Sequence, residues 1–154
     1  MDSYVEMCSI LHYIQADRNV QRMKQYVQHG SVSTYEHCES VAKLCYILNR
    51  RLAIHANLRV LLIGAMLHDF YLYDWHKEDN GEHHMHGFIH AKIARQNAQK
   101  YLDVDDRTLD VIYCHMWPLN IERIPRSREA WLVCIADKLV SVHETLFRRK
   151  NRNL

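Results

Sequence analysis

Residues 58–69 read LRVLLIGAMLHD, and this stretch decides the fold class. Its apolar side chains surround the whole helical circumference, which is typical of a helix buried on all sides. We predict that the helix starts after Asn57 and that His68 and Asp69 stand at its end. The stretch therefore predicts a central helix that carries a histidine and an aspartate into the core.

The sequence around this stretch favours further helices. Four Gly and two Pro are too few for the many turns of an all-β fold. We predict an all-α fold, a compact bundle of about six helices around a central metal site, with a polar loop from about residue 74 to 85. The predicted helices run from about Tyr4 to His29 (ended by Gly30), from Ser33 (with Glu36 as a capping box) to about Ala53, over 58–69, from about Gly87 to Tyr101, from Asp105 or Asp106 to His115, and from near Ser127 to about Arg149.

The length and the termini predict one domain. A chain of 154 residues favours a single domain, and no linker rich in Pro, Gly or Ser divides it. A net charge of +2 is too small to argue for nucleic-acid binding. Residues 148–152 read RRKNR, which we interpret as a solvated basic tail.

Cysteine usage and hydropathy indicate a cytoplasmic protein with no membrane partner. The five Cys form no Cys-x-x-Cys pair, which fits a reducing compartment and argues against a thiolate zinc site. The N-terminus lacks the order of charges and apolar residues of a signal peptide. No apolar run approaches the roughly 20 residues that a membrane helix needs.

Ionisable residues interrupt the apolar faces of four predicted helices. His37 shares a face with apolar residues, His68-Asp69 ends the buried helix, His115 lies on an apolar stripe, and Asp137 follows the run VCIA. A single buried histidine is usually a hydrogen-bonded core imidazole. A buried carboxylate is rarely unpaired, because its desolvation costs several kcal/mol, as an order of magnitude. Convergence of the whole set on a cation supplies the missing charge, and helical bundles often build metal sites this way.

The ordered set resembles the HD superfamily of metal-dependent phosphohydrolases. Its signature is a His, then a His-Asp dipeptide, then a distant Asp, which match His37, His68-Asp69 and Asp137. Members with two metal ions add two histidines between the dipeptide and the last Asp. His86, in HGFIHAKIA, and His115, in IYCHM, look like these two. The resemblance covers about residues 35–144, so the first helix and the basic tail are additions to it.

The resemblance implies packed helices, one or two divalent ions, and hydrolysis of a phosphate ester by metal-activated water. It implies a first ion bound through His37, His68, Asp69 and Asp137. It also implies a second ion bound through His86, His115 and a shared oxygen of Asp69. His90 stands where glycine is common in the family, so it either replaces His86 as a ligand or faces the substrate.

Imidazole and carboxylate ligands without thiolate suit Fe, Mn, Zn, Co or Ni, and the sequence leaves the choice open. Such an ion lowers the pKa of bound water and stabilises phosphoryl oxygens. We expect Asp69 to be the bridging and catalytic residue. Candidate contacts to the substrate phosphate are His90, Lys77, Lys92 and Lys138, although lysines in such positions are more often solvated surface residues.

Three functional interpretations stay open at this point. The first is a phosphomonoesterase or phosphodiesterase that acts on a small nucleotide-like substrate. The second is a metal-binding sensor or interaction module without catalysis on the same scaffold. The third is a helical interaction protein whose core histidines are satisfied without metal. The sequence does not determine the oligomeric state.

Overall fold

The computed structural model describes residues 3–74 and 86–148. Its fold is all-α as predicted, with seven α-helices and one short hairpin in these two ranges. The elements are α1 (Ser3–Gln15), α2 (Arg18–Arg22), a 3₁₀ turn (Met23–Gln25), β1 (Val27–His29), β2 (Val32–Ser33), α3 (Thr34–Arg51), α4 (Leu58–Leu67), α5 (His86–Tyr101), α6 (Asp106–Cys114), α7 (Arg128–His143) and a π turn (Glu144–Arg148).

Helix α4 forms the centre of the bundle, as its sequence predicts. Every residue from Val60 to Leu67 is buried, and α1, α3, α6 and α7 pack around it. Gly64 permits the close approach of α6, because a Cβ at this position would lie 2.6 Å from Cγ1 of Val111. The central helix therefore brings its C-terminal end, and the two residues that follow it, into the middle of the protein.

Side-chain caps fix where the helices begin. The predicted capping box of α3 is present: the Glu36 amide donates to Ser33 Oγ, and Glu36 Oε2 accepts from the Ser33 amide. Asn57, Asp105 and Ser127 cap α4, α6 and α7 in the same way, each accepting from the third amide of its helix. Of the two alternatives for α6, Asp105 is the cap.

The prediction of one first helix from Tyr4 to His29 is wrong. Helix α1 ends at Gln15, and the Asp17 carboxylate then accepts from the amides of Asn19 and Val20 to start α2. An aspartate that caps a new helix competes with continuation of the old one. Gly30, expected to end a helix, instead has φ of 60° and turns the hairpin between β1 and β2.

Two predicted helix ends also need correction. Helix α4 ends at Leu67, so His68 caps it and Asp69 lies in the following turn. Helix α7 ends at His143 and continues as the wider π turn, not as an α-helix to Arg149. The loop predicted up to residue 85 lies mostly outside the described residues. Among the helices that the structure does describe, none combines the length and the apolar character needed to cross a bilayer.

Candidate metal centre

Two histidines occupy the C-cap positions of α4 and α6 and point into the same space. Nδ1–H of His68 donates to the carbonyl of Ala65 at 2.7 Å, and Nδ1–H of His115 donates to the carbonyl of Ile112 at 2.8 Å. A carbonyl only accepts, so these bonds fix Nδ1 as the protonated nitrogen that donates. Each Nε2 is thereby directed inward, and the two rings meet edge to face at 4.8 Å between centroids.

His37 and Asp137 join this pair from α3 and α7. His37 Nε2 lies 3.1 Å from Asp137 Oδ1, and Ser141 Oγ donates to the same oxygen at 3.3 Å. His68 Nε2 lies 3.6 Å from Asp137 Oδ1 as well. On its other side, His37 Nδ1 contacts the buried Glu144 carboxylate at 2.9 Å. Glu144 therefore orients His37 as a carboxylate orients a metal-ligating histidine.

Asp69 lies between the imidazoles and is held from outside by a chain of hydrogen bonds. Gln28 Nε2 donates to Asp69 Oδ2 at 2.6 Å, and the Tyr71 hydroxyl donates to Gln28 Oε1. Thr34 Oγ1 contacts the same hydroxyl at 3.0 Å. The hairpin strand β1 thus fixes the carboxylate, and its other oxygen, Oδ1, faces the histidines.

His90 on α5 completes the cluster. Its Nε2 lies 3.3 Å from Asp69 Oδ1 and 3.0 Å from His115 Nε2. His115 Nε2 itself lies 3.5 Å from Asp69 Oδ1. The side chain of His86, the expected ligand one turn earlier, lies outside the described residues. Within the described residues, His90 therefore lies beside both Asp69 and His115.

The arrangement fits a divalent cation. His68 Nε2 and Asp69 Oδ1 are buried and have no hydrogen-bond partner within residues 3–74 and 86–148. Two groups of three ligand atoms lie within 4.8 Å of one another: one from His37, His68 and Asp137, the other from His68, Asp69 and His115. A buried polar atom without a partner costs about 1–3 kcal/mol, and coordination to a cation removes this cost.

The protonation states of the histidines and carboxyls in the cluster depend on whether a metal ion is bound. Burial lowers the pKa of His37, but its hydrogen bonds to Asp137 and Glu144 outweigh this and raise it to about 10. Burial likewise opposes the charge on Asp69 and Asp137, yet the neighbouring imidazoles hold the pKa of both carboxyls well below the usual range. Without a cation, protonated imidazoles balance the carboxylates. Protons and metal ions therefore compete for the same nitrogen atoms.

Comparison with known protein families gives one match: a family model described as HD domain matches residues 34–141. The chain belongs to the HD domain family. The family model represents a superfamily of metal-dependent phosphohydrolases, so the resemblance expected from the sequence is confirmed. No curated protein and no solved structure matches this HD domain.

A cavity of about 580 Å³ opens beside the cluster of the HD domain. Asp69, His90, His115 and Asp137 contribute to its floor. Its other lining residues are Gln28, Gly87, Met116, Pro118, Leu119, Lys138 and Ser141. The cluster is therefore accessible to a small molecule from one side.

The predicted substrate lysines have different positions. Lys138 lines the cavity, but its ammonium group also donates to the carbonyls of His115 and Cys134, at 3.0 and 3.2 Å. Lys92 is exposed and lines a separate cavity of about 300 Å³ together with Tyr113. It does not line the cavity of the cluster. Lys77 lies outside the described residues.

Sequence reasoning missed two residues of the site. Gln28 was assigned to the first helix, because the hairpin that places it was not predicted. Glu144 follows Asp137 by seven residues, which is two helical turns, so the helical period already put both on one face of the last helix. That spacing was the available signal for Glu144, whereas no local pattern marked Gln28.

Proposed function

We propose that this HD domain is a metal-dependent phosphohydrolase that acts on a small, nucleotide-like phosphate ester. The observation that carries the proposal is the convergence of four imidazole Nε2 atoms on two carboxylates, with His68 Nε2 and Asp69 Oδ1 buried and without a partner in the described part of the chain. This set lies at the floor of an open cavity. A core of satisfied histidines would not leave such atoms facing one another.

We assign the ligands from the two groups of converging atoms. One ion would be held by His37, His68 and Asp137, together with Asp69. A second would be held by Asp69 and His115, and for its remaining ligand we now favour His90. The position of His90 Nε2, close to both Asp69 and His115, supports a ligand role over a purely substrate-facing one. The donor set suits Fe, Mn, Zn, Co or Ni.

When bound, divalent ions supply Lewis acidity that lowers the pKa of water and offsets the charge of a phosphoryl group. The chain's own residues provide the geometry. Asp69 lies between the two ligand groups and is kept in place by Gln28, so it is the proposed bridging and catalytic residue. Glu144 is a positioning residue that fixes the tautomer and the orientation of His37.

The cavity supports a substrate with an apolar, flat portion next to its phosphate. Met116, Pro118 and Leu119 form an apolar part of the wall, against which a nucleobase or a similar ring can pack. Lys138 also lines this cavity, and its ammonium group would contact a phosphate by exchanging one of its three present hydrogen bonds, of which the one to Cys134 Sγ has the weakest acceptor. Its two carbonyl contacts hold the ammonium group near His115. We therefore keep Lys138 as a proposed phosphate contact and no longer assign this role to Lys92.

The test is turnover of a panel of phosphomonoesters, phosphodiesters and nucleotides by protein loaded separately with each candidate metal. We expect metal-dependent release of phosphate or of a nucleotide product, and its loss in Asp69→Ala. Asp110→Ala, an aspartate change on the exposed side of α6, is the matched control and should leave turnover intact. Substantial turnover by Asp69→Ala would overturn the proposed role of Asp69.

The same experiment separates the alternatives. Bound metal without turnover of any substrate would favour a metal-binding module that does not catalyse. Protein that takes up no metal under any loading condition would contradict both metal-dependent interpretations. The metal content of the purified chain should therefore be measured before the substrate panel.

A further inference from the structure

The outward face of α7 carries an apolar stripe that the described residues leave partly exposed. Trp131, Ile135, Leu139 and Val142 recur every three or four residues, so they lie within about 80° of the helix circumference. Leu146 and Phe147 extend the stripe on the π turn. These six side chains are between 37% and 63% exposed. We call this set the α7 stripe.

The α7 stripe is distinct from the face of α7 that serves the metal centre. Asp137 points inward and contacts His37, and Ser141 donates a hydrogen bond to Asp137. Residues 133, 134, 136 and 140 of the same helix are buried in the core. The helix is thus apolar on both its inner and its outer side. A helix with this character is typically buried on both sides.

The exposed area is large enough to need an explanation. With full side-chain areas near those of large apolar residues, the exposed fractions correspond to about 600 Å² of apolar surface. Monomeric proteins rarely expose contiguous apolar patches of more than a few hundred Å². Complete burial of two such stripes would remove about 1,200 Å² from solvent, an upper limit that equals the lower bound for a specific protein interface.

We propose that the α7 stripe is the interface of a homodimer, in which α7 packs against α7 of a second copy. Within α7, Ile135, Leu139 and Val142 follow the spacing 4-3, which is the pattern of a coiled-coil seam. An interface with twofold symmetry needs one self-complementary patch, and an apolar helical seam provides it. The proposal does not depend on the proposed function, because no residue of the stripe lines the metal site.

Charge favours the antiparallel arrangement of the two helices. Arg148 ends the π turn that follows α7. Parallel packing would bring this basic residue of both copies to the same end of the dimer, where like charges repel. Antiparallel packing separates them and places Leu139, near the middle of the stripe, next to the twofold axis.

The test is the molar mass of the full chain in solution, measured by sedimentation over a wide range of protein concentration. We expect a concentration-dependent dimer that Leu139→Glu converts to a monomer. The matched control is Ile47→Glu, the same kind of change at an exposed apolar position on α3, which should stay dimeric. Circular dichroism spectra and melting curves verify that both variants are folded.

Cross-linking provides a second, independent measurement. In a Cys8→Ser background, which removes the exposed native thiol, Leu139→Cys should form a reducible dimer and Ile47→Cys should not. A wild-type chain that is monomeric at every concentration would overturn the proposal. A dimer that persists unchanged in Leu139→Glu would do so as well, because the interface would then lie elsewhere.

Discussion

Replacement of Glu144 should weaken metal binding although this residue lies outside the two groups of candidate ligand atoms. Glu144 is buried, and its Oε2 lies 2.9 Å from His37 Nδ1 on the side of the ring opposite to Asp137. Carboxylates in this position orient the histidine and raise its basicity, and their removal typically costs 10–100-fold in metal affinity. The predicted loss corresponds to about 1.4–2.7 kcal/mol of binding free energy.

Two substitutions of Glu144 should give losses of metal affinity at opposite ends of this 10–100-fold range. Glu144→Gln retains an oxygen that accepts from Nδ1–H and loses only the negative charge, so we expect roughly a tenfold loss. Glu144→Ala also removes the hydrogen bond between its carboxylate and the buried Nδ1 of His37, and it creates a cavity. We therefore expect a loss near 100-fold, together with a decrease of about 1–3 kcal/mol in the free energy of unfolding.

The assay is calorimetric titration of the metal-free protein with Mn²⁺ or Zn²⁺, followed by measurement of bound metal after dialysis. Glu39→Gln is the control, because Glu39 is a glutamate of α3 that contacts Lys43 and Gln15 and none of the candidate ligands. If Glu144→Ala is folded and binds metal as tightly as the wild type, then His37 is not a ligand or Glu144 does not position it. Either explanation would refute the proposed role of Glu144 in positioning His37.

Three further predictions concern stability. Gly64→Ala should lower the free energy of unfolding by about 1–3 kcal/mol, because the new Cβ would overlap Cγ1 of Val111. Chemical denaturation measures this loss, and a second change, Val111→Ala, should recover part of it. Asp105→Ala should lower the free energy of unfolding by about 1 kcal/mol, and Asp105→Asn by much less. Hydrogen bonding to Thr108 lowers the pKa of Asp105. The stability advantage of the wild type over Asp105→Ala should therefore persist at neutral pH and vanish as the pH falls through that lowered pKa. In the metal-free protein the pKa of His37 is raised from 6.5 to about 10. Protonation of His37 therefore stabilises the fold fully below pH 6.5, and this stabilisation is lost as the pH rises towards 10. Urea denaturation at a series of pH values in the presence of a chelator measures the loss. A pH profile in that range as flat as that of His37→Ala would contradict the ion pairing inferred for His37.

Helix starts and the central helix were predictable because both depend on local chemistry. Ser33 with Glu36 forms the expected capping box, and the run from Val60 to Leu67 is buried on all sides. The first predicted helix failed for a local reason as well. Asp17 offers the backbone a new start, and this competition is decided by small energy differences that an apolar pattern does not reveal.

The core of the candidate site could also be read from the sequence. An aspartate or histidine on an apolar face must be compensated, and this requirement singled out His37, His68-Asp69, His115 and Asp137 before any contact was known. The structure brings all of these side chains together. Their roles as ligands stay predictions until metal is observed on them.

The tertiary structure decided which partner contacts which residue of the site. Glu144 reaches His37 across 107 residues of sequence, and Gln28 reaches Asp69 across 41. The packing of α5 places His90 against Asp69 and His115. A sequence determines which groups cannot be buried alone, because desolvation is a property of the group itself. Which neighbour compensates each group depends on how the helices pack, and packing sums contributions from the whole core.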